Sequence, residues 1–202
     1  GVGLLRRPDE QPYDRFRLYE VVDEGRRTEE VAPESASFRQ ILPRQYDYTK
    51  TVRLLSDTSF EIAHRMLWLS DKPLHGYVYN HNFFTFGGTP VGPRRRLTLP
   101  YRPMGTWRAA YSSVKLDACG IAFSHIPELP SVFMGDLHCD GGVTPHSFRL
   151  SEDDRAVEVL GSEPLHHIVF WANRRVACPE PYMTLNLKIG ECLEWKVFYG
   201  LV

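Results

Sequence analysis

Two residues of this 202-residue chain stand out by type and setting: a histidine among aromatic residues and a glutamate enclosed by prolines. His81 lies in Tyr79-Asn80-His81-Asn82-Phe83-Phe84. If Tyr77–Phe83 is a strand, alternation puts Tyr77, Tyr79, His81 and Phe83 on one face. An ionisable ring then sits among aromatic rings, whose partial burial of it tunes its proton affinity. Glu180 lies in Cys178-Pro179-Glu180-Pro181-Tyr182. The flanking prolines have fixed φ angles and lack amide donors. Such a carboxylate is held stiffly, and the prolines predict an edge or bulge rather than mid-sheet. A histidine and a rigid carboxylate are equipment for general acid–base catalysis, which needs positioned proton-transfer groups and no redox cofactor. Taken singly, each has a plainer reading: a histidine on an aromatic β-face is usually a core or rim residue, and a glutamate beside proline a turn residue.

Other candidates carry less. Asn80 and Asn82 have amides suited to hydroxyl groups, but alternation turns them to the face opposite His81. Arg174 and Arg175 shortly precede Glu180, and one could hold a hydroxyl or phosphate; the plainer reading is a solvated strand end. Arg94-Arg95-Arg96 follows a Gly-Pro turn and could attract an anion, or simply be an exposed loop. His166 and His167 alternate across a strand, so one alone would face a cleft. Asp117 and Asp136 are acidic residues with no placed partner. No cysteine pair is spaced C-x-x-C, and His138-Cys139-Asp140 is too tightly spaced to chelate one ion, so no metal is assigned. Cys119, Cys139, Cys178 and Cys192 are expected to be reduced and mostly buried.

The elements that must position these residues follow a period of two. Met183, Leu185, Leu187 and Ile189 alternate with Thr184, Asn186 and Lys188; Leu193, Trp195, Val197 and Tyr199 continue the pattern. Such alternation means half-buried antiparallel strands. It predicts strands over Arg17–Val22, Tyr46–Leu55, Phe60–Ser70, Tyr77–Phe86, Arg96–Leu99, Gly120–Phe123, Ala156–Leu160, Leu165–Trp171, Met183–Ile189 and Glu191–Tyr199. Ser56-Asp57, Gly87-Gly88, Gly92-Pro93, Asp140-Gly141-Gly142 and Gly161-Ser162 are the turns. Asp23–Pro33 reads as a charged exposed loop and Arg102–Ser113 as an irregular stretch. No long window has a 3.6 period, so the fold is all-β, a sandwich or barrel with few helices.

Hydrophobic residues are 43% of the chain, enough for a core, and the length suits one domain over residues 1–202. A formal net charge of −1 excludes nucleic-acid and membrane-surface partners, which need a basic excess. No apolar run approaches the roughly 20 residues of a membrane span, and no signal peptide opens the chain, so a cytoplasmic location is expected. The opening Gly1-Val2-Gly3-Leu4-Leu5 reads as mid-strand, which predicts that an N-terminal portion is missing. The sheet edge so exposed would suit a homodimer.

The two motifs together resemble the aldose 1-epimerase (galactose mutarotase-like) family. Tyr79 to Phe84 resembles its Asn-His-x-x-Phe segment and follows a strand and a Lys72-Pro73-Leu74 turn, as in that family. Cys178 to Tyr182, followed by Ile189-Gly190-Glu191 and Glu194-Trp195, is similar to its C-terminal segment; the Glu-Pro pair resembles the hexose-phosphate epimerase branch. Phe170-Trp171 fits too, and the opening residues resemble an internal segment. The resemblance covers nearly the whole chain. It implies a galactose mutarotase-like supersandwich of antiparallel sheets and a small-molecule sugar partner, a hexose or hexose phosphate. It makes His81 the acid and Glu180 the base. Tyr79, Asn82 and Arg175 are expected as substrate contacts from their own side-chain chemistry, and no cofactor is expected. The family's other site residues, a histidine and an arginine, come from the N-terminal part. A non-catalytic sugar-binding module of the same fold is the alternative. A glycosidase is disfavoured because no second catalytic carboxylate is evident.

Overall fold

The computed structural model describes residues 3–14, 16–128 and 130–202, so Gly1 and Val2 of the opening run lie outside the described residues. Among those residues every regular element is a strand, and no helix is long and apolar enough to cross a membrane. The chain forms two compact units. One is Gly1–Arg53, Ile62–Leu74 and Leu187–Glu194; the other is Leu54–Glu61, His75–Asn186 and Trp195–Val202.

The first unit begins with β1 (Leu4–Leu5) paired to β2 (Val21–Asp23). The predicted strand over Arg17–Val22 is therefore mostly absent: Leu18 is fully exposed, and without burial the alternation there has nothing to pack against. A meander follows, β3 (Arg26–Ala32), β4 (Ser35–Leu42), β5 (Tyr46–Ser56) and β6 (Ser59–Trp68). The expectation of a loop over Asp23–Pro33 fails at β3, which pairs along its whole length with β4. Every residue of β3 is exposed, so no apolar alternation marked it. Its arginines and glutamates suit an edge strand, where charge discourages further pairing. Beside it Arg39 grips Asp47, with Nε on Oδ1 at 2.8 Å and Nη2 on Oδ2 at 2.5 Å.

The second unit holds most of the core. Its strands are β7 (Leu74–Tyr79), β8 (Arg95–Thr98), β9 (Pro103–Met104), β10 (Val114–Asp117), β11 (Gly120–Phe123), β12 (Val132–Cys139), β13 (Ser147–Glu152), β14 (Arg155–Gly161), β15 (His167–Ala172), β16 (Ala177–Leu187) and β17 (Cys192–Leu201). One layer runs β10-β11-β8-β13-β14-β17 and the other β7-β16-β15-β12-β9. Leu97, Ile121, Leu150 and Val159 point inward from the first, and Met134, Leu137, Ile168 and Phe170 from the second, all fully buried. Phe123 and Phe170 meet across the layers with ring centroids 6.1 Å apart. The period-two strands thus close a sandwich because each has one face to bury. The fold is all-β, as predicted.

Boundaries moved where prolines and turns intervened. The strand expected over Tyr77–Phe86 ends at Tyr79, and β16 starts six residues before Met183, running through Pro179 and Pro181. All four cysteines are free, but Cys178 alone is buried, because Cys119 falls in the exposed turn between β10 and β11 and Cys192 at the exposed start of β17.

One packing detail has a pH signature. His146 is 6% exposed, and a Cβ on Gly161 would lie 1.9 Å from its Nδ1. Burial pushes its pKa down to about 4, despite a backbone interaction at Glu163. The folded state therefore keeps this ring neutral, while the unfolded chain protonates it near pH 6.5. Stability is full above pH 6.5 and is lost as the pH falls towards 4, by about 3 kcal/mol. Urea unfolding across that range should show the loss, and His146→Leu should flatten it. An unchanged slope in the variant would remove His146 from the account.

Candidate functional site

β16 builds one wall of the site. Alternation puts Cys178, Glu180 and Tyr182 on one face of this strand. Against β15, Glu180 pairs with Val169 and Cys178 with Trp171. On the other side, Phe84 and Ala177 exchange backbone hydrogen bonds at 3.0 and 3.2 Å. Extending that antiparallel register by the residue numbers sets His81 opposite Glu180 and Tyr79 opposite Tyr182.

Glu180 is therefore not at an edge, as its prolines suggested, but on a strand between β7 and β15. The reason is visible in Asn82. In a strand the N and O of one residue point the same way. Pro179 O accepts from Asn82 Nδ2 at 3.0 Å, so the proline nitrogens face residues 80–83, which have left the ladder. The missing N–H groups cost nothing there, and a side-chain amide replaces one ladder bond.

His81 and Glu180 meet, with Nε2 3.4 Å from Oε1. The glutamate is buried, while the histidine side chain is 43% exposed and forms the open side. Cys178 Sγ lies beside both, 3.1 Å from His81 Nδ1 and donating to Glu180 Oε1 at 3.6 Å. Burial first, and then the Glu180 charge, push this thiol's pKa far up, so it stays protonated. Nδ1 of His81 thus faces the sulfur and Nε2 faces the carboxylate, at the open side of the site.

Aromatic rings frame the pair. Tyr79 stacks on Tyr182 at 4.3 Å with 6° between planes, and His81 stacks on Phe83 at 4.1 Å. Trp171 meets Phe83 edge-on at 6.4 Å. Tyr79 and Phe83 remain 41% and 58% exposed, so their outer surfaces are available to a ligand. The expected common face of Tyr79, His81 and Phe83 is present even though the strand ends at Tyr79.

Asn82 is buried, and both ends of its amide are engaged: Nδ2 by Pro179 O, Oδ1 by Tyr199 OH at 2.9 Å. Asn80 Nδ2 also donates to Tyr199 OH at 3.0 Å. Both asparagines thus point away from His81, and Asn82 anchors the histidine's segment rather than facing a ligand. Asn82→Ala should cost about 2–3 kcal/mol through the orphaned Tyr199 and Pro179 groups. Chemical denaturation measures this; a change below about 0.5 kcal/mol would deny the anchor. Arg175 is exposed in the turn joining β15 to β16, outside the cluster. His166 and His167 do not split across the sheet: their Nδ1 atoms are 2.7 Å apart, because His166 precedes the strand.

Cys178 and Tyr182 were the site residues missed from sequence. The period-two spacing Cys178, Glu180, Tyr182 could have found them once β16 was known to extend through its prolines.

The fold is that of the galactose mutarotase-like proteins. A candidate aldose 1-epimerase of Escherichia coli K12 superimposes with a TM-score of 0.61 at 11% identity, over 95% of this chain and 75% of its own. An aldose epimerase homologue from C. elegans gives 0.59 at 16%, over 89% and 69%. A galactose 1-epimerase from Lactobacillus acidophilus gives 0.54 at 12%, over 89% and 67%. This chain covers 64% of the length of a Synechocystis protein that it also matches, and 52% of one from Klebsiella pneumoniae. No family model and no curated protein matches the sequence.

Proposed function

We propose that this chain interconverts the α and β anomers of a hexose by acid–base ring opening, with Glu180 as base and His81 as acid. The observation that carries the reading is the 3.4 Å approach of His81 Nε2 to Glu180 Oε1 beside exposed aromatic rings. The two sugar oxygens that exchange protons, the anomeric hydroxyl and the ring oxygen, are bonded to the same carbon. An acid and a base that meet at one point can serve both.

The carboxylate takes the anomeric hydroxyl proton. The O–H electron pair becomes the carbonyl π bond, the bond from C1 to the ring oxygen breaks, and that oxygen takes a proton from imidazolium Nε2. The C1–C2 bond rotates and the same groups reverse their roles. Protons balance, and no electrons leave the sugar. Cys178 accepts the Nδ1–H of the charged ring and donates to Glu180, so each group keeps its orientation between half-reactions. Tyr79 and Phe83 supply ring faces for pyranose C–H groups.

Fresh α-glucose, α-galactose and glucose 6-phosphate, followed by polarimetry with the chain at micromolar concentration, test the reading. A rate well above the spontaneous one for any of them is expected. A background rate with retained sugar binding would make this a non-catalytic binding module instead.

A further inference from the structure

The cluster that the reaction uses has a second chemical capacity. His81, Cys178 and Glu180 each offer one ligand atom, and those atoms lie within 4.8 Å of one another. Glu180 Oε1 lies 3.6 Å from Sγ and 3.4 Å from His81 Nε2, while Sγ lies 3.1 Å from the other ring nitrogen, Nδ1. Tetrahedral zinc with bonds of about 2.3 Å to sulfur and about 2.0–2.1 Å to nitrogen and oxygen requires ligand–ligand edges of about 3.3–3.6 Å. The two edges that meet at Oε1 already have that length, and the third needs only a turn of the half-exposed imidazole. Two are buried on one rigid strand, and the third is half-exposed, leaving a fourth position open to water.

We propose that His81, Cys178 and Glu180 form a three-ligand site for a thiophilic divalent cation, zinc above all. A sulfur, a nitrogen and a carboxylate oxygen favour zinc over magnesium or calcium, which take oxygen ligands. On binding, the metal–sulfur bond replaces the S–H bond and one proton leaves to buffer, with no change of oxidation state. Since the ion occupies both His81 and Glu180, it excludes the sugar; this clause rests on the proposed function, whereas metal binding does not.

The probe is Co2+, titrated into the full chain after chelation and reduction. One equivalent should give a thiolate-to-cobalt charge-transfer band with intense tetrahedral ligand-field absorption, and Zn2+ should bleach both. Cys178→Ser should abolish the charge-transfer band and weaken binding more than about 100-fold, beyond the loss of a supporting residue. His81→Ala, at a half-exposed position that leaves the core alone, should weaken it similarly, while Cys119→Ser/Cys192→Ser should not. No thiolate band in the unaltered chain, or a band unchanged by Cys178→Ser and His81→Ala, would overturn the site. The spectrum needs no sugar, so an inactive chain with a Cys178-dependent band would refute the epimerase reading and leave the metal site standing.

Discussion

Glu180→Gln is expected to slow anomer interconversion by about 100- to 10,000-fold while the fold stays intact. Glutamine fills the same buried space, so packing against Val169 and Cys178 survives. It cannot accept a proton, so the anomeric hydroxyl loses its base. His81→Ala should fall by a similar factor, because the ring oxygen loses its acid. Since the two groups act on one event, the double variant should be little slower than either single one. Polarimetric rates, with urea midpoints as the folding control, decide this. Turnover near that of the unaltered chain in either single variant would remove that residue from the chemistry.

The second large effect concerns stability. Arg95 and Glu152 are both 1% exposed in the second unit. Arg95 Nε donates to Glu152 Oε2 at 2.9 Å, and Nη2 reinforces the same oxygen. Thr89 Oγ1 and Arg155 Nη2 donate to Oε1. Burial alone would raise the Glu152 carboxyl pKa, but the Thr89 hydroxyl and Arg95 outweigh it and hold the group below its ordinary range. The guanidinium also lies over the Phe86 ring at 4.4 Å. Glu152→Ala leaves a buried charge without its partner and should cost about 3–5 kcal/mol. Arg95→Met/Glu152→Leu, which removes both charges, should recover much of that loss. Urea unfolding of the three chains checks the pair. A single-variant cost below about 1 kcal/mol would mean that water or relaxation reaches the site.

The all-β fold was legible because the strands that carry it bury one face. Met183 to Leu187 and Leu193 to Tyr199 show the alternation directly. Strand β3 was not legible, because Arg26 to Ala32 buries nothing and pairing of the backbone leaves no mark on side-chain pattern. The Arg95–Glu152 pair was also hidden: an arginine after a turn reads as solvated, and only tertiary packing places it under Phe86. At the site, His81 and Glu180 were legible from their settings, and their meeting followed from strand register that sequence does not contain. Prolines at 179 and 181 argued for an edge; the side chain of Asn82 makes an interior strand tolerable there. Cys178 was read as a bland thiol because its significance lies in its two neighbours in space.

The proposed function requires one histidine–glutamate contact to move protons on a sugar. Saturation transfer between the anomeric H1 signals of an equilibrated aldose tests it most directly, since exchange at equilibrium requires ring opening alone. Transfer well above the protein-free level is expected for the unaltered chain on at least one hexose, with collapse to that level in Glu180→Gln. Transfer that persists unchanged in Glu180→Gln would contradict it.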